Sequence, residues 1–346
     1  ESYTTDSFVY RCGPNGVTPD PVRLSTEDAR RVFVTQSTSE KSLDLVFVNH
    51  WSRNAARSVN SYVYFGGSDG FSPERRKEVP GVRAVGSVCC DVNDDGYVDL
   101  VIVNSSLSTV QNDSGSYVLL NGSDGFPVEP SIVLPTIRAH GIACADLNRD
   151  GYLDLIFGGV ENHELTIFHG KAGGFDIDNP QSIRMEKDGV LFDDVRFMFL
   201  ADLNNDGWLD LFVPHITYDR SFILWGGPKG FSMDRSQMLS IQGAIGAQAA
   251  DLNGNGYADL IVGGGIADVP LRGGHSSMDG PHNSFLYIYW NGPDGLSEDR
   301  RTMLPANAPV SLAVADFNND GLLDIFACSY HDGRVRDIDS YIYWNR

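Results

Sequence analysis

The feature that most constrains this chain is a loop that returns five times: DVNDDGYVDLVIV from Asp91, DLNRDGYLDLIFG from Asp146, DLNNDGWLDLFVP from Asp202, DLNGNGYADLIVG from Asp251 and DFNNDGLLDIFAC from Asp316. Each copy carries Asp or Asn at alternate positions, Gly at position six and Asp at position nine, then enters an apolar run. Such self-similarity means a repeat architecture, one supersecondary unit per copy. A sixth, degenerate copy, QSTSEKSLD over Gln36–Asp44, keeps only Asp44, with Lys41 where glycine stands elsewhere. The ninth-position Asp falls at 44, 99, 154, 210, 259 and 324, roughly 55 residues apart, the length of one four-stranded blade. The repeats are centred near 36–48, 91–103, 146–158, 202–214, 251–263 and 316–328 and read as one domain over 1–346.

Hard divalent cations take oxygen ligands, and calcium accepts six to eight of them in irregular geometry. The expected donors are Asp91, Asn93, Asp95 and Asp99; Asp146, Asn148, Asp150 and Asp154; Asp202, Asn204, Asp206 and Asp210; Asp251, Asn253, Asn255 and Asp259; and Asp316, Asn318, Asp320 and Asp324. The backbone carbonyls of Tyr97, Tyr152, Trp208, Tyr257 and Leu322 join them at position seven. Glycine at position six permits the positive φ that a tight wrap needs. An EF-hand also begins this way but requires a bidentate Glu at position twelve and a following helix. Position twelve here is Ile102, Phe157, Val213, Val262 or Ala327, which excludes it. Asp, Asn and Gly also form turns unaided, so an ion-free turn stays open, most of all for the Asp251 loop with its Asn255. In the Gln36–Asp44 copy Lys41 would repel a cation, and no metal is expected there.

These D-x-N-x-D/N-G-x-x-D-L/I loops resemble those of the FG-GAP/VCBS repeat family of calcium-loop β-propellers, which includes the integrin α-subunit head. A second signature follows the loops: SYVYFGGSDGFS from Ser61, SYVLLNGSDGFP from Ser116, LTIFHGKAGGFD from Leu165, SFILWGGPKGFS from Ser221 and LYIYWNGPDGLS from Leu286. The resemblance implies a propeller with four or five structural calcium ions. It leaves the function open, because adhesion receptors, lectins and polysaccharide lyases share such blades.

Within a repeat the order is a small-residue strand, the loop, a nearly all-apolar strand, a variable loop, an aromatic-rich strand and an outer strand. The apolar strand fits a blade interior covered on both faces. The expected fold is all-β, a six-bladed β-propeller of four-stranded blades, with seven blades as the alternative. The N- and C-terminal strands are expected to overlap in one blade, which removes open sheet edges.

The chain has 346 residues and a formal net charge of -20. Fifteen of its acids sit in the five loops. Five calcium ions would offset about half of the negative total, and nucleic acid is excluded as a general partner. Cys12, Cys89, Cys90, Cys144 and Cys328 fit no zinc spacing. Cys89 and Cys144 hold equivalent repeat positions and read as buried free thiols, while a Cys12–Cys328 bridge stays open. No run approaches the roughly twenty apolar residues of a membrane span, and the start reads as that of a processed chain without a leader. Millimolar calcium argues for a secreted or cell-surface setting. Sequons at Asn104, Asn112 and Asn121 would accept glycans in a eukaryotic secretory route.

If the calcium loops mark one end of the blades, the connections after each apolar strand and those before each small-residue strand share the other. Those connections hold Arg53, Arg57, Arg83, Arg138, Arg196, Arg220, Arg272, Arg334 and Arg336, and His50, His140, His163, His215, His275, His282 and His331, with Trp51, Tyr218 and Tyr330. Arginine forks match carboxylate or sulfate, so an acidic polysaccharide is the favoured ligand class. The candidate ligand residues are His50, Trp51, Arg53, Arg83, Arg138, His140, His215, Tyr218, Arg220, Tyr330 and His331. Three functions compete: a calcium-stabilised lectin-like module for glycan or extracellular-matrix ligands, a lyase on uronic-acid polymers, and a protein–protein adhesion scaffold. A lyase would need a carboxylate neutraliser, a base and an acid, drawn from Arg138, His140, His215, Tyr218 and Tyr330. There is no G-x-S-x-G and no Walker loop.

Overall fold

The structure, a computed structural model, describes residues 4–13, 16–17, 19–37, 42–52, 59–105, 114–160, 162–192, 194–216, 218–265, 284–330 and 338–346. The chain forms two compact units, Glu1–Ser182 and Ile183–Arg346. Each unit contributes blade sheets in which antiparallel strands follow chain order.

In the first unit the first blade comprises Ala29–Thr35, Asp44–Asn49, Ser61–Gly67 and Gly70–Val79. The second comprises Ala84–Cys90, Asp99–Asn104, Ser116–Leu119 and Ile132–Leu134. The third comprises Ala139–Ala145, Asp154–Gly159, Glu164–Phe168 and Gln181–Arg184, the last strand lying where the unit ends. In the second unit the fourth blade comprises Phe199–Ala201, Asp210–Val213, Ser221–Leu224 and Ser236–Leu239. The fifth comprises Ala244–Ala250, Asp259–Gly264, Ser284–Tyr289 and Arg301–Ala306. The sixth comprises Pro309–Ala315, Asp324–Ser329 and Tyr341–Tyr343. Helix is confined, among the described residues, to two short 3₁₀ turns at Met233–Arg235 and Glu298–Arg300. The fold is thus the expected all-β, six-bladed β-propeller; a seventh blade sheet is absent among the described residues.

The second strands are the core. Those of the first five blades are buried along their whole length. Val101, Val103, Leu155 and Phe157 pack with Val118, Leu134 and Phe168 in the first unit. Phe212, Leu260 and Val262 pack with Ile223, Leu239 and Tyr289 in the second. An uninterrupted apolar run therefore covers both faces of these strands, as a sheet between neighbours demands.

At the N-terminus Thr4–Val9 pairs with Val22–Glu27, and the sixth sheet has three strands among the described residues. Leu24 packs with Phe47, Tyr62 and Tyr64, the Tyr64 hydroxyl donates to the Ser25 carbonyl at 2.7 Å, and the Tyr62 hydroxyl donates to Glu27 at 3.1 Å. The hairpin is anchored on the first blade by these contacts. Two of the glycosylation expectations fail. Asn104 is fully buried, and its amide donates to the Gly115 carbonyl at 2.8 Å. Asn121 is buried too, with its amide bonded to the Ser37 and Val98 carbonyls. A glycan on either nitrogen would break these buried hydrogen bonds and has no room in the folded chain. Asn112 lies outside the described residues.

The ninth-position aspartate ties each blade together. All six are 0 % exposed. One oxygen accepts the N–H of loop position two: Ser37, Val92, Leu147, Leu203, Leu252 or Phe317, at 2.9–3.1 Å. The other accepts the N–H at the end of the aromatic strand: Gly66, Asn121, Gly170, Gly226, Asn291 or Asn345, at 2.7–3.0 Å. Where that residue is glycine, a side chain has no room: a Cβ on Gly226 would meet the Leu209 carbonyl oxygen at 2.1 Å. Where it is asparagine, its amide crosses to the preceding blade's loop. Asn121 reaches the Ser37 carbonyl, Asn291 that of Leu203 and Asn345 that of Leu252, at 2.7–2.8 Å. This explains why Asp44 survives in a loop that lost its other oxygens. Asp44→Ala strands two buried N–H groups, and each costs about 1–3 kcal/mol. Its melting temperature is expected to fall by the same amount in calcium and in chelator; a fall seen only in calcium would show Asp44 to act through a metal.

Candidate functional site

The five complete loops share one hydrogen-bonded form. In the first of them Asp91 accepts from the Asp95 and Gly96 N–H groups at 3.1 and 2.8 Å, Asn93 Oδ1 accepts from Asp95 N–H at 3.2 Å, and Asp95 accepts from Tyr97 N–H at 2.9 Å. The same bonds recur around Asp150, Asp206, Asn255 and Asp320. Side-chain oxygens of positions one and three thus converge on one backbone nitrogen. Position six holds glycine at φ of +82° to +92° in every copy. A Cβ on Gly96, Gly151, Gly256 or Gly321 would meet nothing within 4 Å, so conformation rather than space selects glycine.

These loops suit a hard cation. Among the described residues no group of three or more His, Cys, Asp or Glu is placed to hold a metal. Each loop instead offers a mixed set of carboxylate and amide oxygens, the chemistry of calcium rather than zinc. Their carboxylates form no ion pair with Lys or Arg among the described residues, and only Asp154 has a charged-type partner, His169 at 3.1 Å. Burial pushes Asp99 and Asp210 up to about 6 despite their backbone hydrogen bonds, and the neighbouring loop carboxylates add to the rise. Asp259 is raised for the same first reason. A cation in the cup would supply the opposing charge. Calcium would be held by the carboxylates and amides of positions one, three and five, with the ninth-position Asp behind them. In the first repeat the expectation of no metal falls partly on residues 38–41, outside the described residues.

On the other loop face, the first unit gathers His50, Trp51 and Arg83. The Arg83 guanidinium lies over the Trp51 ring at 5.1 Å, and its Nε is buried without a hydrogen-bond partner. His50 Nδ1 stands 3.1 Å from the Arg83 and Ala84 carbonyls, so it carries the proton that it donates. Burial, helped by Arg30, lowers its pKa. Arg83 and Arg138 share a repeat position with Asp28, Gly243 and Ala308, and all five have φ between +43° and +56°. The carbonyl of each accepts an N–H from just beyond its second strand: His50, Ser105, Val160, Gly265 or Tyr330. A bulge in the first strand follows this corner. His140 is half-buried two residues on. Arg31 was not among the expected residues. Burial draws it down to about 10, and its Nη1 lies against Gly86. Its repeat position is glycine at 86, 141 and 246, and that exchange is the signal that could have found it.

In the second unit the candidates behave differently. His215 is 1 % exposed, and its ring packs against Phe192 and Tyr218 at 5.2 and 4.5 Å. Tyr218 donates to the Leu191 carbonyl. Arg196 makes a two-pronged bond to buried Asp194, at 2.6 and 2.8 Å. Arg220 is exposed beside Asp219 at 3.3 Å, and Tyr330 is exposed. Arg53, Arg57, Arg272, Arg334, Arg336, His275, His282 and His331 lie outside the described residues.

The FG-GAP-like repeat family matches residues 91–157, 160–262 and 265–327. The chain belongs to that family. Integrin alpha-7 of Mus musculus is 29% identical over 180 residues, 45% of this chain and 15% of the relative. Cartilage acidic protein 1 of Homo sapiens is 29% identical over 208 residues, 54% of this chain and 30% of the relative. The match thus spans less than a third of either relative's length. Among solved structures, an Agrocybe aegerita lectin that recognises non-reducing terminal N-acetylglucosamine aligns with TM-score 0.51 and 17% identity over 99% of this chain and 90% of that one. A putative 6-phosphogluconolactonase of Bacteroides uniformis aligns with TM-score 0.58 and 10% identity over 93% and 84%. At such identities the likeness shows the fold alone. No helix among the described residues is long and apolar enough to cross a membrane.

His215 gives an acid-stability prediction. Burial, and secondarily Arg196, lowers it to about 3, against an unfolded value of about 6.5. The folded state therefore favours neutral imidazole. That stability is fully present above about pH 6.5 and is lost as pH falls toward 3. In His215→Gln the acid limb of the melting-temperature profile is expected to flatten over this window. An unchanged limb would place the titrating group elsewhere.

Proposed function

We propose that this chain is a calcium-stabilised binding module of the extracellular space or cell surface, and that it recognises an acidic polysaccharide through the loop face bearing Arg83. The family, the integrin and cartilage-protein relatives and the lectin neighbour support a binding module. The observation that carries the ligand class is Arg83. Arg196 and Arg220 have carboxylates beside them, whereas Arg83 has an aromatic platform, an unspent buried Nε and no carboxylate ion pair among the described residues. A guanidinium stacked on Trp51 presents its N–H edge in a fixed plane, which a uronate or sulfate oxygen pair can meet bidentately. His50, fixed by the carbonyls of Arg83 and Ala84, offers Nε2 as an acceptor for a sugar hydroxyl.

A polypeptide ligand is the second reading, favoured by the integrin alpha-7 likeness. The lyase reading is weakened at His215, one of its candidate bases, which is enclosed among aromatic rings. Arg83→Glu is expected to reduce retention on immobilised acidic glycans at least ~10-fold, about 1.4 kcal/mol, without moving the melt. Equal retention by variant and parent would remove the anionic ligand. Unsaturated sugar absorbing in the ultraviolet, released on incubation, would make the chain a lyase.

Calcium is expected to act on stability. At ten times the dissociation constant each site adds about 1.4 kcal/mol, so excess chelator should lower the melting temperature by many degrees. Asp206→Ala should remove one site's share of that loss, and a melt indifferent to chelator would end the calcium reading.

A further inference from the structure

In the first unit, neighbouring first strands touch through positions that differ by one. Thr35, nine residues before its ninth-position Asp, hydrogen-bonds the Cys89 thiol, ten before its own. One blade on, the same contact joins Cys90 to Cys144, and the two Sγ atoms are 2.9 Å apart. Nonbonded heavy atoms settle at about 3.5–4.0 Å, and a disulfide bond is about 2.05 Å long. The sulfurs thus stand nearer than packing alone requires, with little left to close. Their strands, Ala84–Cys90 and Ala139–Ala145, belong to different sheets and share no strand pairing. A cavity of about 280 Å³, lined by Phe33, Val34, Val88, Cys89, Cys90 and Cys144, opens beside the pair. Both thiols are half-buried.

We propose that Cys90 and Cys144 form a disulfide that fastens the second blade to the third. The reaction is thiol–disulfide exchange with a small-molecule or enzyme-borne disulfide of an oxidising compartment. The Cys90 thiolate attacks one sulfur of that oxidant and releases its first thiolate. The Cys144 thiolate then attacks the mixed disulfide and releases the second. One Sγ–Sγ bond forms, the oxidant's S–S bond breaks, and the two cysteine protons end on the two released thiols. The bond joins the first strands of two neighbouring blades. It spans 54 positions of chain and restricts the unfolded ensemble accordingly.

The test uses the unaltered chain, secreted from a host with an oxidising secretory route, then denatured in alkylating agent without reductant and digested. The expected product is a Cys90–Cys144 peptide pair two hydrogen atoms lighter than its free halves, with Cys89 and Cys328 alkylated. Full alkylation of Cys90 and Cys144, or linkage of either to Cys12, Cys89 or Cys328, overturns the proposal. As a second arm, reductant should lower the melting temperature of the unaltered chain by several degrees and leave Cys90→Ala/Cys144→Ala unmoved. An equal response from both proteins also overturns it.

Discussion

A buried carboxylate that accepts two backbone N–H groups is the interaction on which each blade depends. The ninth-position aspartate sits at the start of the second strand and is fully buried. It grips the loop on one side and the end of the third strand on the other. Neither N–H can find another partner there, since an unpaired buried donor costs as much as the bond gains. The side chains at loop positions one, three and five are free to vary; this one is not. The first repeat demonstrates the separation, with Asp44 fully bonded although Lys41 stands where the loop's glycine should be.

The same carboxylate links fold to electrostatics. Burial makes its ionised form expensive at Asp99, Asp210 and Asp259, and the exposed acids of the loop make it more so. A divalent cation held by those acids would turn a repulsive cluster into a bound one. Fifteen of the chain's acids are concentrated in the five loops, where such a cation would answer them. The opposite loop face obeys another rule. There the charges are arginines, and what distinguishes them is whether a carboxylate lies beside them: Asp194 answers Arg196, and Trp51 lies beneath Arg83.

Blade number, strand order and loop form were legible because they recur. Periodicity cancels the ambiguity of any single segment, so Gly96 and its four equivalents could be placed at positive φ from spacing alone. What did not recur was hidden. Asn104 and Asn121 look like glycan acceptors until the structure shows their amides spent on Gly115 and Ser37. His215 reads as a loop histidine, yet it is enclosed by Phe192 and Tyr218. Arg31 stands at a position that other repeats give to glycine, and only three-dimensional packing shows it filling that space. Cys89 and Cys144 hold equal places in their repeats, but neighbouring strands meet one residue out of step, so the partner of Cys144 is Cys90.

The asparagines that end three aromatic strands carry one more consequence. Asn121, Asn291 and Asn345 each lend an amide to a carbonyl in the repeat behind them, so those repeats bring their own rearward coupling. A duplicated copy of such a unit arrives ready to dock, provided that the unit it follows presents a vacant carbonyl at loop position two. Units ending in glycine at that point lack this hook. The chain is thus an ordered series of two kinds of link, and shuffling its repeats would preserve every blade while breaking the couplings between them.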